Sequence, residues 1–347
     1  MSNTFIIIDG SSMLTTNYFA TLPKSIMFEK DPEKKKTHYD EIMHTSDGTY
    51  TNAIYGTLKM LKKILEKQNP THIAVVLDQT RNTFRRQMYA DYKGTRSETQ
   101  EPLKEQFILL EKLLPEMGIQ TLYSADYEAD DYAGTLATKF AAPETKVILV
   151  TKDHDYIQLV NDYTRLWMIQ AKKEQAEALY EKYYYPYGIT PETLNLPEKT
   201  FEFTPLTIKE EFGIEPKQII DLKGISGDTS DNIPGIKGIS DKTALPLIQE
   251  YGSLENLFDI VRDIDIEDKK EVKQINDFWK ELGIRSPLKL LKKEGEMEGE
   301  KIAMLSKQLA TIKCDIPISQ SLDDFSTENF SKDKFNEICK RLEIKSI

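Results

Sequence analysis

Nine carboxylates occupy positions from which they could hold metal ions and promote phosphoryl chemistry. Acids gathered in one place repel one another and raise each other's pKa, and divalent cations with oxygen ligands relieve that repulsion. Two such ions about 4 Å apart can activate a water and stabilise the leaving oxygen of a phosphodiester. The candidate metal ligands are Asp9, Asp78, Glu128, Asp130, Asp131, Asp153, Asp155, Asp228 and Asp231.

The spacing of these acids supports a shared site, although each has an ordinary alternative explanation. Asp9, Asp78 and Asp153 each follow a short apolar run, and a single acid in that place is usually a turn or a helix cap. Glu128 and Asp131 would share one face of a helix, where acids in the first turn are stabilised by the helix dipole. Three acids after three parallel strands are much harder to explain as caps alone.

A basic segment, residues 81–96, follows the second acid. It carries Arg81, Arg85, Arg86, Lys93 and Arg96 against the single acid Asp91, with Phe84, Tyr89 and Tyr92 interleaved. Basic side chains neutralise phosphates, and aromatic rings stack on bases. Because the segment leaves the end of a predicted core strand, we expect it to stand over the acids. The alternative is a solvated basic loop.

A second DNA-binding element is predicted near residue 235. Gly235 and Gly238 flank Lys237, and a helix is predicted from about residue 240 to residue 251, with Lys242 in its first turn. Glycine lets backbone amides approach a ligand closely, and helix N-termini favour phosphate. This pattern is typical of a helix-hairpin-helix that grips a DNA backbone; the alternative is a plain turn between two helices. Asp228 and Asp231 lead directly into it.

Strand and helix patterns alternate around these acids. Apolar runs at residues 5–8, 73–77 and 147–151 predict buried strands, with a further strand at residues 119–123. Helical patterns separate them at residues 52–67 and 103–117. This alternation predicts an α/β fold with a central, mostly parallel sheet flanked by helices, and ligands then bind beyond the carboxyl ends of the strands. Residues 22–50 are predicted to be a solvated loop, and residues 172–205 an inserted excursion.

Composition excludes several classes of protein. No apolar run approaches the roughly 20 residues of a membrane helix, and the start of the chain lacks the features of a signal peptide. The two cysteines, Cys314 and Cys339, form no zinc pattern and suit a reduced cytoplasm. No nucleotide-binding glycine loop or zinc-protease motif is present. The net charge of -11 argues against a nucleic-acid partner only if it is spread evenly, because bound cations would offset an acidic site.

With these motifs in hand, the sequence resembles the 5′ nuclease superfamily, in particular the 5′-3′ exonuclease domain of bacterial DNA polymerase I and stand-alone bacterial and phage flap endonucleases. The resemblance runs from residue 5 to about residue 316 and rests on several motifs in the family's order. They are residues 8–12, 83–85 with 92–96, 127–131, 151–155, 227–238 and 309–312.

The resemblance implies an organisation for the chain. Residues 1–170 would form the α/β nuclease domain with a helical arch at about 81–105, and residues 171–205 an insertion. Residues 206–316 would form a helical region with a helix-three-turn-helix, and residues 317–347 a tail that packs on the core. No polymerase-like segment follows, so we expect the stand-alone form.

The resemblance also implies roles for individual residues. Two Mg²⁺ ions, which Mn²⁺ could replace, would be held by the nine acids, the first five nearer one ion and the last four nearer the other. The catalytic set would be Asp9, Asp78, Asp130, Asp153, Lys93 and Arg96. The DNA-binding set would be Arg81, Arg85, Arg86, Tyr92, Lys93, Arg96, Gly235, Lys237, Gly238 and Lys242. The turn at residues 233–239 could hold K⁺ through backbone carbonyls.

The function expected is a structure-specific 5′ nuclease that removes flaps and primers in replication and repair. Its partners would be DNA with 5′ flaps, nicks or single-strand/duplex junctions, and RNA-primed DNA. We expect a cytoplasmic monomer with no membrane partner. One departure is Thr15-Thr16, where the family often has an aromatic-Arg pair. It leaves open a non-catalytic binder of branched DNA, and a metal-dependent ribonuclease is the other alternative.

Overall fold

The computed structural model of the protein describes residues 2–345. A six-stranded sheet lies at its centre, with the strands in the order β3-β2-β1-β4-β5-β6. The strands are β1 (Asn3–Asp9), β2 (His72–Val76), β3 (Gln120–Leu122), β4 (Thr145–Thr151), β5 (Thr164–Ile169) and β6 (Thr200–Phe203). The first five are parallel, and β6 pairs antiparallel with β5. The predicted mostly parallel sheet is confirmed.

The described part of the chain contains sixteen α-helices. They are α1 (Gly10–Ala20), α2 (Lys24–Met27), α3 (Pro32–Lys36), α4 (Asn52–Gln68), α5 (Phe84–Met88), α6 (Glu101–Glu116), α7 (Ala129–Phe140), α8 (Lys173–Tyr183), α9 (Pro205–Phe212), α10 (Ile219–Ser226), α11 (Asp241–Tyr251), α12 (Leu254–Asp263), α13 (Lys269–Glu281), α14 (Leu288–Leu291), α15 (Gly299–Ala310) and α16 (Lys332–Arg341). Among residues 2–345, no helix combines the length and the apolar character needed to cross a membrane.

The two faces of the sheet bury two separate cores, because successive residues of a strand point to opposite faces. Phe5 and Ile7 of β1 belong to one core, which continues into the helices between α9 and α15. Ile6 and Ile8 belong to the other, which α1, α4, α6 and α16 cover. Since helices cover both faces, β1 is apolar along its whole middle rather than alternating.

The register of the sheet brings the acidic strand ends together. Asp9 at the end of β1 is opposite Val76 of β2, while Ile8 is opposite Val150 of β4. Asp78 and Asp153 follow these two neighbouring strands within two residues. The parallel sheet therefore places all three acids at one edge, as the sequence predicted.

The residue 22–50 stretch is more structured than the predicted solvated loop. It contains α2, α3 and a short 3-10 helix at Tyr39–Glu41. Asp31 caps α3, whose first residue is proline, and these two local signals suffice to start a helix. Ile26 and Ile42 are fully buried in the core beneath, which fixes the stretch to the sheet.

The predicted excursion at residues 172–205 contributes to the sheet. It forms α8 and the edge strand β6, and Tyr180 and Phe201 from these elements are buried against each other. The sequence gives a weak signal for this role, because only one side of α8 is buried and its other side carries charged residues. The packing of the aromatic rings and the pairing of β6 with β5 attach the segment to the core.

The segment expected to form a helical arch is mostly not helical. Within residues 81–105, helix is confined to α5 and to the beginning of α6, and the rest is turns and irregular backbone. Lys93 adopts the left-handed backbone conformation (φ 53°), which ends any helical path there. The Lys93 backbone amide donates instead to the Asp231 carbonyl at 2.8 Å, so the segment is tied down to the hairpin that follows α10.

Candidate active site

Asp9 forms the floor of the acidic cluster. As the N-cap of α1 it accepts a hydrogen bond from the Ser12 amide at 2.9 Å, and its other oxygen accepts one from the Thr151 hydroxyl at 2.7 Å. Burial, together with the charges of Asp78 and Asp153, raises the pKa of Asp9 to about 7. A cation near Asp9 would stabilise its ionised form.

Asp78 and Asp153 stand at the open side of the cluster, where both are exposed. One oxygen of Asp78 accepts from the Ala129 amide at 2.9 Å, at the start of α7. Asp153 caps a 3-10 helix by accepting from the Asp155 amide at 2.9 Å. Each is therefore held by one backbone amide and keeps further lone pairs for a ligand.

Asp131, a predicted metal ligand, has its carboxylate occupied by hydrogen bonds within the protein. It is completely buried, and the guanidinium of Arg85 donates to both of its oxygens, at 2.7 and 2.9 Å. The amides of Glu128 and Lys313 donate to the same two oxygens, at 3.0 and 2.8 Å. Four donors fill the acceptor positions of this carboxylate, and we propose that Asp131 supports the site by holding Arg85.

The same pairing corrects the DNA-binding assignment of Arg85. Only 1% of its side chain is exposed, and it also donates to the backbone carbonyls of Leu309 and Thr311. The residue thus joins α5, α7 and the end of α15. A guanidinium sealed in this way cannot reach a DNA backbone.

Asp130 has the least satisfied carboxylate of the group. Its Oδ1 atom is buried with no hydrogen-bond partner, and the nearest guanidinium nitrogen, on Arg85, is 3.9 Å away. Burial and the neighbouring charges of Asp131 and Glu128 raise the pKa of Asp130 well above its ordinary range. A buried acceptor without a donor is what a cation site leaves when the ion is absent.

The basic segment closes over this cluster. The Lys93 ammonium donates to Glu128 at 2.6 Å and lies 3.6 Å from Asp231, and the Arg96 guanidinium also donates to Asp231. Burial raises the pKa of Glu128, but Lys93 and Arg85 outweigh burial and lower it. Lys93 and Arg96 therefore stand over the acids, where the sequence placed them.

Tyr92 is buried beneath the basic segment and helps to hold it over the acids. Its side chain is 3% exposed, and its hydroxyl lies 3.2 Å from both Glu128 and Asp231. The ring packs in a small cluster with Ile233, Leu309 and Ala310. Its assignment as a DNA contact is therefore corrected, because it holds the segment in place and has no open face for a base.

Lys223, which the sequence reasoning missed, joins the remaining acids. Its ammonium, on α10, donates to Asp228 at 2.6 Å and to Asp155. Burial and Asp153 raise the pKa of Asp155 to about 7. Burial also raises the pKa of Asp228, but Lys223 and Ser230 outweigh it and lower that pKa to about 2. A single lysine in an apolar helix carries no sequence signal for this role.

The nine acids thus form one connected neighbourhood. Asp9 is influenced by Asp78 and Asp153, Asp155 by Asp153 and Asp231, and Asp130 by Asp131 and Glu128. Lys93 links Asp231 to Glu128, and Lys223 links Asp228 to Asp155. Within residues 2–345, however, no three acidic, histidine or cysteine side chains converge closely enough to enclose a metal ion as they stand. Lysine and arginine groups occupy the spaces between the carboxylates instead.

The predicted hairpin is present between α10 and α11. Gly227 and Gly235 both have positive φ angles, of 78° and 59°, and the backbones of Asp228 and Ile233 exchange two hydrogen bonds. A Cβ atom on Gly235 would lie 2.3 Å from the Gly227 nitrogen, so no other residue fits without a shift. Lys237 and Lys242 are exposed beside this turn.

The remaining predicted DNA-binding residues are near the surface of the basic segment. Arg81 is exposed, and its guanidinium donates to the Ser97 carbonyl at 2.8 Å and the Thr99 hydroxyl at 3.0 Å, which closes the base of the segment. Arg86 is half-buried on α5. Thr15 and Thr16, where the family often has an aromatic-Arg pair, are half-buried in α1.

Comparison with protein families gives two matches in the order of the chain. Residues 4–184 match the N-terminal resolvase-like domain of 5′-3′ exonucleases, and residues 214–333 match their C-terminal SAM fold. Among curated proteins, DNA polymerase I of Bacillus caldotenax is 33% identical over 346 residues, which is all of this chain and 32% of that protein. DNA polymerase I of Lactococcus lactis subsp. lactis is 35% identical over 321 residues, 92% of this chain and 30% of that protein. The chain spans about a third of the length of these relatives.

Comparison with solved structures shows a similar fold in bacteriophage T5 proteins. The T5 5′-exonuclease with bound divalent metal ions (zinc) aligns with a TM-score of 0.55 at 18% identity, over 99% of this chain and 100% of that one. The T5 D15 flap endonuclease, in a complex with DNA and metal ions, aligns with a TM-score of 0.52 at 18% identity, over 99% of both chains. At this identity the likeness establishes the fold.

Proposed function

This chain belongs to the 5′-3′ exonuclease family, and from that premise we propose that it hydrolyses DNA phosphodiester bonds as a 5′-3′ exonuclease and 5′ flap endonuclease. One observation carries the proposal. Acids from the ends of separate strands and helices meet at one edge of the sheet, directly beneath Lys93 and Arg96. This is the arrangement that phosphoryl transfer needs, with carboxylates to hold cations and fixed positive charge for the phosphate.

Divalent cations fit the donor set. All candidate ligands are oxygens, which Mg²⁺ and Mn²⁺ prefer. The orphaned Oδ1 of Asp130 and the raised pKa of Asp9, to about 7, both indicate missing positive charge. Two ions would supply an activated water and charge stabilisation at the leaving oxygen. We assign one position to Asp9, Asp78, Glu128 and Asp130, and the other to Asp153, Asp155, Asp228 and Asp231, with Asp131 holding Arg85.

The chain's own residues position the substrate. Lys93 and Arg96 now donate to Glu128 and Asp231, and a phosphodiester entering between them would compete for the same donors. The phosphate would be held near the strand ends between Lys93 and Arg96 above it and the divalent ions that the acids below would bind. The exposed lysines of the hairpin, Lys237 and Lys242, would grip the adjoining duplex. We propose that backbone carbonyls of the turn at residues 233–239 would hold a K⁺ ion shared with that duplex.

The substrate we propose is DNA with a 5′ flap, a nick or a single-strand/duplex junction, including RNA-primed DNA. The hairpin and the basic segment are two separate elements, and each would contact a different arm of a junction, which favours a junction over a continuous duplex. In this role the protein would act as a cytoplasmic monomer in replication and repair.

A flap assay with a matched pair of variants tests the proposal. Purified protein is incubated with a 5′-labelled flap and Mg²⁺, beside D153N and the control D162N, which makes the same change at an exposed aspartate. We expect D153N to lower kcat at least about a thousandfold, or roughly 4 kcal/mol, and D162N to have no effect.

Two other outcomes would contradict the proposal. Tight flap binding in Ca²⁺ without products in Mg²⁺ or Mn²⁺ would indicate a non-catalytic DNA-binding protein. Faster cleavage of a matched RNA flap than of the DNA flap would indicate a ribonuclease.

A further inference from the structure

Lys223 is a buried cation between two acids that we assign to the second metal position. Its side chain is 15% exposed, and its ammonium donates to Asp228 and Asp155. It belongs neither to the basic segment nor to the hairpin lysines. Its position in the middle of α10, on the side facing the 3-10 helix that follows Asp153, brings it there.

The ammonium occupies the space that a divalent ion would need. Asp155 and Asp228 come from different elements and carry like charges, so that one cation between them offsets their repulsion. A lysine ammonium and a divalent ion prefer the same carboxylate oxygens, and two cations in contact at this depth would repel strongly. The two cannot occupy this position together.

We propose that Lys223 is a built-in counterion that competes with the second divalent ion for Asp155 and Asp228. The inference rests on the proposed function, since it presumes that these acids bind divalent ions. Without metal, Lys223 offsets the repulsion between Asp155 and Asp228 and so keeps the site folded. When metal enters, the flexible four-carbon stem lets the ammonium leave both carboxylates. The second ion is therefore bound more weakly than its carboxylates alone would allow.

The structure offers a matched control for this lysine. Lys307 on α15 is buried to a similar degree, at 17% exposure, and its ammonium donates to Asp221 at 2.6 Å and to Glu255 at 2.8 Å. This pair lies outside the acidic cluster, yet it has the same chemistry. Replacing Lys307 therefore shows how the loss of a similarly placed lysine affects stability when the proposed metal position is unchanged.

Calorimetric titration of the metal-free protein with Mn²⁺ tests the proposal without relying on activity. We expect K223M to tighten the weaker Mn²⁺ site about tenfold, which corresponds to about 1.4 kcal/mol, and to leave the tighter site unchanged. K307M should change neither. Melting temperatures should fall for both variants without metal, and saturating Mn²⁺ should restore K223M but not K307M.

The outcomes separate the inference from the proposed function. Absence of Mn²⁺ binding by the wild-type protein would refute the proposed function itself. Wild-type binding with an unchanged or weaker second site in K223M would overturn the counterion role alone. If K223M does not fold, K223Q decides, because its amide still donates hydrogen bonds but carries no charge; it too should tighten the second site.

Discussion

At the scale of single residues, acids of one type perform different tasks according to their partners. Asp78 and Asp153 are exposed and keep free lone pairs, whereas Asp131 has all its acceptor capacity filled by Arg85 and two backbone amides. The sequence treats these residues alike, and only their hydrogen-bond partners distinguish a ligand from a support. The same reasoning separates Arg85, which is sealed, from Arg96, which is exposed.

We predict that R85M destabilises the protein by about 3–5 kcal/mol, because it leaves the carboxylate of Asp131 buried without a counterion. Urea denaturation in EDTA measures the free energy of unfolding. R341M is the control, since Arg341 makes an equally bidentate pair with Glu116, but at the surface, and should lose at most about 1 kcal/mol. Similar losses of unfolding free energy in the two variants would show that the buried pair contributes no more to stability than the surface pair.

At the scale of elements, the hairpin between α10 and α11 joins two of the proposed metal ligands to the predicted duplex contact. Asp228 pairs with Ile233 across the turn, and Asp231 receives Arg96 from the basic segment. Gly235 also donates its amide to the Ser306 hydroxyl of α15 at 3.0 Å. If the hairpin moved when it bound DNA, Asp228 and Asp231 would therefore move with it.

We predict that G235A destabilises the protein by about 2–6 kcal/mol, from backbone strain of about 1–3 kcal/mol and a similar overpacking term. The added Cβ would meet the Gly227 backbone at 2.3 Å. G283A is the matched control, because Gly283 has a similar φ of 74° but no atom within 4 Å of a Cβ; it should lose only about 1–2 kcal/mol. Equal losses, measured by urea denaturation, would contradict the role of the tight approach.

The hairpin lysines give a prediction for DNA affinity. If Lys237 and Lys242 each contact a phosphate, the double variant K237A/K242A should reduce the slope of log K against log salt by about 1.8 in magnitude. Fluorescence anisotropy with a blunt duplex in Ca²⁺, over a series of salt concentrations, measures the slope. K273A removes an exposed lysine of α13 and should leave the slope unchanged. An unaltered slope in the double variant would place the duplex elsewhere.

At the scale of the whole molecule, a net charge of -11 is compatible with DNA binding because basic side chains stand directly over the acidic strand ends. Acids concentrate at the strand ends, where they meet lysines and arginines from the basic segment and α10. The helices of the second half share one core with the sheet, so both halves hold this site together. Stability and metal binding should therefore be linked.

We predict that Mg²⁺ raises the melting temperature more at pH 8 than at pH 6. Asp9 and Asp155 have pKa values of about 7 in the folded, metal-free protein, against an ordinary value of 3.8. Because the folded state binds these protons more tightly, their contribution to stability is full below about pH 4 and is lost as the pH rises to about 7. Mg²⁺ binds the ionised carboxylates, so it should stabilise the protein more at pH 8, where Asp9 and Asp155 are ionised, than at pH 6.

Differential scanning fluorimetry with Mg²⁺ or EDTA at the two pH values measures this difference. D9N removes one of the two titrating groups and should reduce the difference between pH 6 and pH 8. An equal gain at both pH values in the wild-type protein would show that the ion does not bind at these carboxylates.

The sequence by itself determined the parallel sheet, the positions of the acids at its strand ends and the helix-hairpin-helix. Those features follow from local signals: apolar runs that end in Asp9 and Asp78, and a Gly-Ile-Lys-Gly turn before a helix. Only the tertiary structure decided which acids are free and which are occupied. The partners of Asp131 and Asp155, namely Arg85 and Lys223, come from other elements. No periodic pattern encodes such a contact, because the packing of helices against the sheet creates it.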